Sequence, residues 1–211
     1  MTAFSDQPAE PRIQSPPSKR RTQPRIPPVQ RETWTPEQKA VLEPLERSGR
    51  LYNVFTTLAN HPDLARDWLT FASHVLGRNS LPARDREILI LRIGWLCGSE
   101  YEWAQHTRIG ASVGLTDADL RQIIKGPDSL DWNPRDRLLL KAADELHAEA
   151  FLTDETWNAL AAAYDIKQMM DLVFTVGQYN LVSMALNSFG VQLDEGLAGF
   201  PAGSSPEKGE R

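Results

Sequence analysis

The chain has 211 residues and a formal net charge of −5, with 41% hydrophobic and 24% charged residues. That length fits one domain with a substantial core, and the composition excludes a fibrous or wholly disordered chain. No window reaches the roughly 18 uninterrupted apolar residues of a membrane span, because even the run ILILRIGWLC carries Arg92.

In chain order, residues 1–33 read as a disordered, proline-rich basic arm. Seven of the fifteen prolines fall in residues 1–31, together with six Lys/Arg against two acids, so a helix would be interrupted and little apolar surface is there to offset ordering. The remainder holds 17 Lys/Arg against 26 acids, and this acidic body argues against a nucleic-acid partner. The arm has no apolar signal-like segment. With Cys97 as the sole cysteine, no disulfide or dithiol can form within one chain, and a reducing, cytoplasmic setting is expected.

Helices follow from residue 34 to 195. TWTPEQKAVLEPL starts with Thr35 as N-cap, Pro36 at the first position and Gln38 three residues after the cap. HPDLARDWLTFASHVLG spaces Leu64, Trp68, Phe71 and Val75 helically and stops at Gly77; SLPARDREILILRIGWLCG ends at Gly98. A helix is expected from about 99 to 114, then TDADLRQIIKG and NPRDRLLLKAADELHAEA with Thr116 and Asn133 as caps. In the last long segment Met170, Phe174, Gly177, Leu181 and Met184 share one side, read as a core stripe with close approach at Gly177. No stretch alternates with the period of a strand. The expectation is an all-α fold of about eight helices, with a flexible tail at 196–211. LPARDREILILR and WNPRDRLLLKAA also echo one another, each opening a helix with Arg-Asp-Arg, as two packed helical hairpins would.

The stretch CGSEYEWAQH, residues 97–106, carries the chemistry. Ser99 and Glu102 have the spacing of a capping box, which accounts for both without catalysis. On the helix that follows, Glu102 and His106 stand four apart on one face. Glu87 and His106 lie at comparable distances before and after the Gly98 turn, so a hairpin can bring carboxylate and imidazole together, a pairing that prepares a general acid or base. The alternative pairs Glu87 with Arg84 or Arg108 on a solvated face. Trp95 and Trp103 flank the turn and read as pocket walls for a ring-shaped substrate or as core packing. His61 and His74 read as capping or packing residues, and His147 lies near a helix end. No two histidines have a metal-ligand spacing, and no P-loop, dinucleotide fingerprint or serine elbow is present.

The run LPARDREILILRIGWLCGSEYEWAQHTRIGASVGLTDADL resembles the core of the carboxymuconolactone decarboxylase and alkylhydroperoxidase D-like superfamily, more loosely over residues 50–195. In the peroxidase branch a glutamate is followed by a Cys-x-x-Cys pair and a histidine; these positions are Glu87, Ser99, Glu102 and His106 here, so both redox cysteines are absent. Tyr101 stands where that branch has a second relay histidine. Cys97, two residues before the first cysteine position, does not take its role. The decarboxylase branch needs no dithiol, cofactor or metal. The resemblance therefore implies a helical-hairpin array that forms a homo-oligomer, trimer or hexamer, with sites near subunit contacts. It implies His106 as proton donor and acceptor, Glu87 as its tuning carboxylate, and Glu102, Tyr101 and Ser99 as polar pocket groups. Two functions stay open: cofactor-free decarboxylation or isomerisation of a small cyclic or unsaturated carboxylic substrate, and an antioxidant or binding protein in which His106 is structural and residual peroxidase activity runs through Cys97.

Overall fold

The computed structural model describes residues 21–129 and 132–201. Within them the chain forms nine α-helices and no strand: α1 (Pro36–Arg47), α2 (Asn53–Leu58), α3 (Pro62–Gly77), α4 (Ala83–Leu96), α5 (Glu100–Ser112), α6 (Asp117–Lys125), α7 (Pro134–Glu149), α8 (Asp154–Ala161) and α9 (Ile166–Phe189). The expected start signals operate. Thr35 and Gln38 close a capping box, Thr116 closes one with Asp119, and the Asn133 side chain accepts from the Asp136 N–H. The short α2 and α8 were not expected as separate helices.

α4 is the axis of the fold, with α5, α6, α7 and α9 packed around it. Its residues from Glu87 to Trp95 are all buried, which is why this run lacks the amphipathic pattern of a surface helix. Arg92, the charge inside that run, is held by Asp144 at 2.6 and 2.9 Å and donates to the carbonyls of Ile123 and Ile124, ending α6. Gly126 has a φ of +87°, and a Cβ there would lie 2.7 Å from the Arg92 guanidinium, so this turn admits only glycine.

The two Arg-Asp-Arg tripeptides meet where α4 and α7 begin. Arg84 grips Asp136 with two bonds of 2.8 Å, and Arg135 in turn binds Asp85, which also accepts from the Tyr164 hydroxyl at 2.7 Å. The echo is thus a reciprocal pair of bridges between the helices.

Three expectations are corrected. The basic arm is not loose from residue 21 onward: the Arg25 and Ile26 N–H groups donate to the Phe189 carbonyl, Val29 N–H donates to Thr56, and Trp34 packs with Leu42 and Ala59. Prolines prevent a helix here, yet an extended segment can satisfy the orphan carbonyls at the end of α9. Residues 1–20 of the arm lie outside the described residues. At the other end, residues 196–201 lie on the body through Phe200, which packs against Trp95 and Trp103; 202–211 lie outside the described residues. Last, the Met170, Phe174, Leu181 and Met184 stripe is exposed rather than core, and a Cβ on Gly177 would meet nothing within 4 Å among the described residues. The buried face of α9 is Met169, Leu172, Val176, Tyr179, Val182 and Leu186. Among the described residues no helix is long and apolar enough to cross a membrane.

Candidate functional site

The α4–α5 hairpin turns at Gly98, whose φ is +60°, and brings Glu87 against His106. Nδ1 of His106 lies 2.6 Å from Oε2 of Glu87, and Nε2 lies 2.9 Å from Oε1 of Glu102 on the next turn of α5. Glu87 also accepts from Arg86 Nε at 3.1 Å. The alternative partners are occupied elsewhere: Arg84 holds Asp136 and Asp119, and Arg108 donates to the Tyr52 hydroxyl and Gln105.

The ring is therefore clamped between two carboxylates, one at each nitrogen. Carboxylate oxygens only accept, so both nitrogens must donate, which makes His106 an imidazolium. Burial opposes that charge, but Glu87 and Glu102 outweigh it and push the imidazole up to about 10. With Arg86 the four charges cancel. Glu87 is wholly buried, whereas the Glu102 side chain keeps 7% of its surface exposed, making Glu102 the outward member. Tyr179 of α9 sets its ring edge-on to His106 at 4.9 Å. Burial and the two carboxylates hold its phenol well above the ordinary value, and its hydroxyl has no hydrogen-bond partner among the described residues. Neither Arg86 nor Tyr179 was expected; Tyr179 is 73 residues further along the chain, and nothing in the local pattern marks it.

The other expected site residues behave differently. The capping box of Ser99 and Glu102 does not form, because the Ser99 N–H already donates to the Gly94 carbonyl at 2.9 Å and leaves nothing for Glu102 to accept. Glu102 turns to His106 instead, and the Ser99 hydroxyl is buried without a partner among the described residues. Tyr101 points away from His106: it donates to Asp194 at 2.6 Å and accepts from the Val54 N–H and Gln105, and burial beside Asp194 raises its phenol well above the usual range. Trp95 and Trp103 do not line an open pocket. Their rings lie 4.9 and 5.7 Å from Phe200, which fills the angle between them.

Of the remaining candidates, His61 caps α3 through Nδ1, as expected. His74 is not packed in an apolar face; it is half-exposed and bound to Asp171 at 2.9 Å. Cys97 and His147 meet at Asn180, whose Oδ1 lies 3.4 Å from the Cys97 sulfur and 2.7 Å from His147 Nδ1. Among the described residues no group of three His, Cys, Asp or Glu side chains is arranged to hold a metal ion.

The model of the carboxymuconolactone decarboxylase family matches residues 62–145, which contain the whole Glu87, Glu102 and His106 clamp. Over that stretch the chain is similar to the carboxymuconolactone decarboxylase family, and its fold is shared with alkylhydroperoxidase D-like structures. Several solved structures repeat the fold. A peroxidase-related protein from Ralstonia eutropha JMP134, described as an alkylhydroperoxidase AhpD core, has a TM-score of 0.70 and 19% identity, covering 82% of this chain and 93% of that one. The debrominase Bmp8, as a cysteine-to-alanine variant in complex with 2,3,4-tribromopyrrole, gives 0.64 and 17%, over 81% and 91% of the two chains. A peroxidase-related protein from Silicibacter sp. TM1040 gives 0.66 and 14%, over 90% and 96%. No curated protein shows a significant match.

Proposed function

We propose that this protein is a cofactor-free acid/base enzyme that decarboxylates or isomerises a small cyclic or unsaturated carboxylic substrate, in the manner that the name of the matched family describes. The observation that carries this reading is the His106 imidazolium held between Glu87 and Glu102 in a chain with one cysteine, where a dithiol cycle has no second thiol. In decarboxylation of a carboxylated lactone, the bond to the carboxyl group breaks, carbon dioxide leaves and its electron pair enters the conjugated system as a dienolate. The dienolate carbon then takes a proton from Glu102, which receives one from His106 Nε2, and solvent restores it. Glu87, fixed by Arg86, keeps the ring oriented through Nδ1–H. The same relay serves isomerisation, with the proton returned at a different carbon.

Carbon dioxide release and ultraviolet change are to be followed over a panel of carboxylated unsaturated lactones. Turnover by the wild type should fall about 10²–10⁴-fold in Glu102→Gln, with the fold retained, because the amide oxygen still accepts from Nε2. Equal turnover in both proteins refutes the relay. No turnover with any lactone, together with hydroperoxide reduction lost in Cys97→Ser, moves the reading to the antioxidant alternative.

A further inference from the structure

The exposed stripe on α9 was expected inside the fold, and its pattern identifies what it faces. Met170, Phe174, Gly177, Leu181 and Met184 recur at intervals of four, three, four and three, the seam of a coiled coil rather than the broader stripe of a helix packed on its own core. The four large side chains are 58%, 54%, 54% and 64% exposed. From Leu172 to Phe189 the helix carries no charged residue, whereas a solvated face would carry several.

Gly177 sharpens the point. It sits mid-helix at about 1 kcal/mol below alanine in helix preference, and a Cβ placed on it would meet nothing within 4 Å among the described residues. None of the described residues requires a glycine here. A second helix crossing at this point would, since backbones approach closely only where side chains are absent.

The seam also reads nearly the same in both directions about Gly177, with methionine seven residues away on each side and Phe174 and Leu181 three and four away. A two-fold axis through such a stripe sets Met170 against Met184 of the other copy and Phe174 against Leu181, the self-complementary contact of a symmetric dimer. Leu64 of α3 borders the seam beside Leu181, and Trp157 of α8 borders it beside Met170 and Phe174. Together with Ile166 these residues leave on the order of 800 Å² of apolar side chain uncovered per copy, the share one partner gives to a stable interface.

We infer that α9 pairs antiparallel with α9 of a second copy of this chain, across a two-fold axis at Gly177. The pairing uses the face of α9 opposite Tyr179 and does not depend on the proposed chemistry.

Sedimentation of the full chain tests it. The wild type should associate at micromolar concentration, and Gly177→Leu should weaken association by roughly 30-fold or more without lowering the thermal midpoint, because the monomer has room for the side chain. A monomeric wild type, or a Gly177→Leu protein that associates equally well, overturns the inference. Orientation is read in a Cys97→Ser background. Met170→Cys with Met184→Cys in one chain should link copies by disulfides while neither single variant does; within a helix the two sites are about 21 Å apart and cannot bond. Self-linking of each single variant indicates parallel helices and overturns the antiparallel arrangement.

Discussion

Replacing His106 by alanine isolates the energetics of the clamp. The change removes the cation and leaves Glu87 and Glu102 facing each other across the emptied ring position. With nitrogen-to-oxygen distances of 2.6 and 2.9 Å in the intact clamp, the two carboxylate oxygens lie within about 7 Å, a repulsion of about 2 kcal/mol at an effective dielectric of about 20. Two charge-assisted hydrogen bonds disappear with it, and removal of one partner from a buried charged pair typically costs about 3–5 kcal/mol. The expected loss is about 4 kcal/mol at pH 8, or a midpoint lower by about 10 °C for a domain of this size. Adding Glu102→Gln to His106→Ala should recover about 2 kcal/mol. Urea unfolding at pH 8 measures all three proteins. A cost below about 1 kcal/mol that Glu102→Gln does not reduce would refute the charged clamp.

Two further outcomes follow from the same structure. Because His106 is raised in the folded state to about 10, its contribution is complete below the unfolded value near 6.5 and is lost as pH rises through about 10; the wild-type midpoint should drop between pH 7 and 10.5 more steeply than that of His106→Gln, and parallel curves would contradict this. Asp194 accepts from Tyr101, Gln105 and the Asn53 N–H at 2.6, 2.6 and 2.8 Å, pinning the segment that carries Phe200. Asp194→Ala should cost about 2–3 kcal/mol and red-shift tryptophan emission as Phe200 leaves Trp95 and Trp103; unchanged emission and acrylamide quenching would show that the segment is held by other contacts.

The helix starts were legible because caps are local: Thr35, Thr116 and Asn133 each act within four residues. The Glu87–His106 meeting was legible from their comparable distances on either side of Gly98. The capping box at Ser99 misled because an N–H serves one acceptor well, and Gly94, five residues earlier, had already taken it. α9 misled for a different reason. Apolar residues occupy both of its faces, so periodicity marks two stripes and cannot say which one the rest of the chain covers. Tyr179 was invisible because its role comes from tertiary packing across the fold, and the seating of residues 21–30 because prolines exclude an α-helix there but not an extended strap.

The crossed bridges of the Arg-Asp-Arg pair bear on how the clamp is assembled. Arg84–Asp136, Arg135–Asp85 and Arg92–Asp144 join positions 52, 50 and 52 residues apart, so all three close the same loop, the one that contains α5 and α6. Closing a loop of that length costs about 3.5 kcal/mol of chain entropy beyond a constant, and the cost is met once, since the second and third bridges close it again almost free. The segment that carries α5 and α6 is thereby tethered at both ends by bridges between α4 and α7, which restrict where α5 can lie against Glu87 in addition to the hairpin itself.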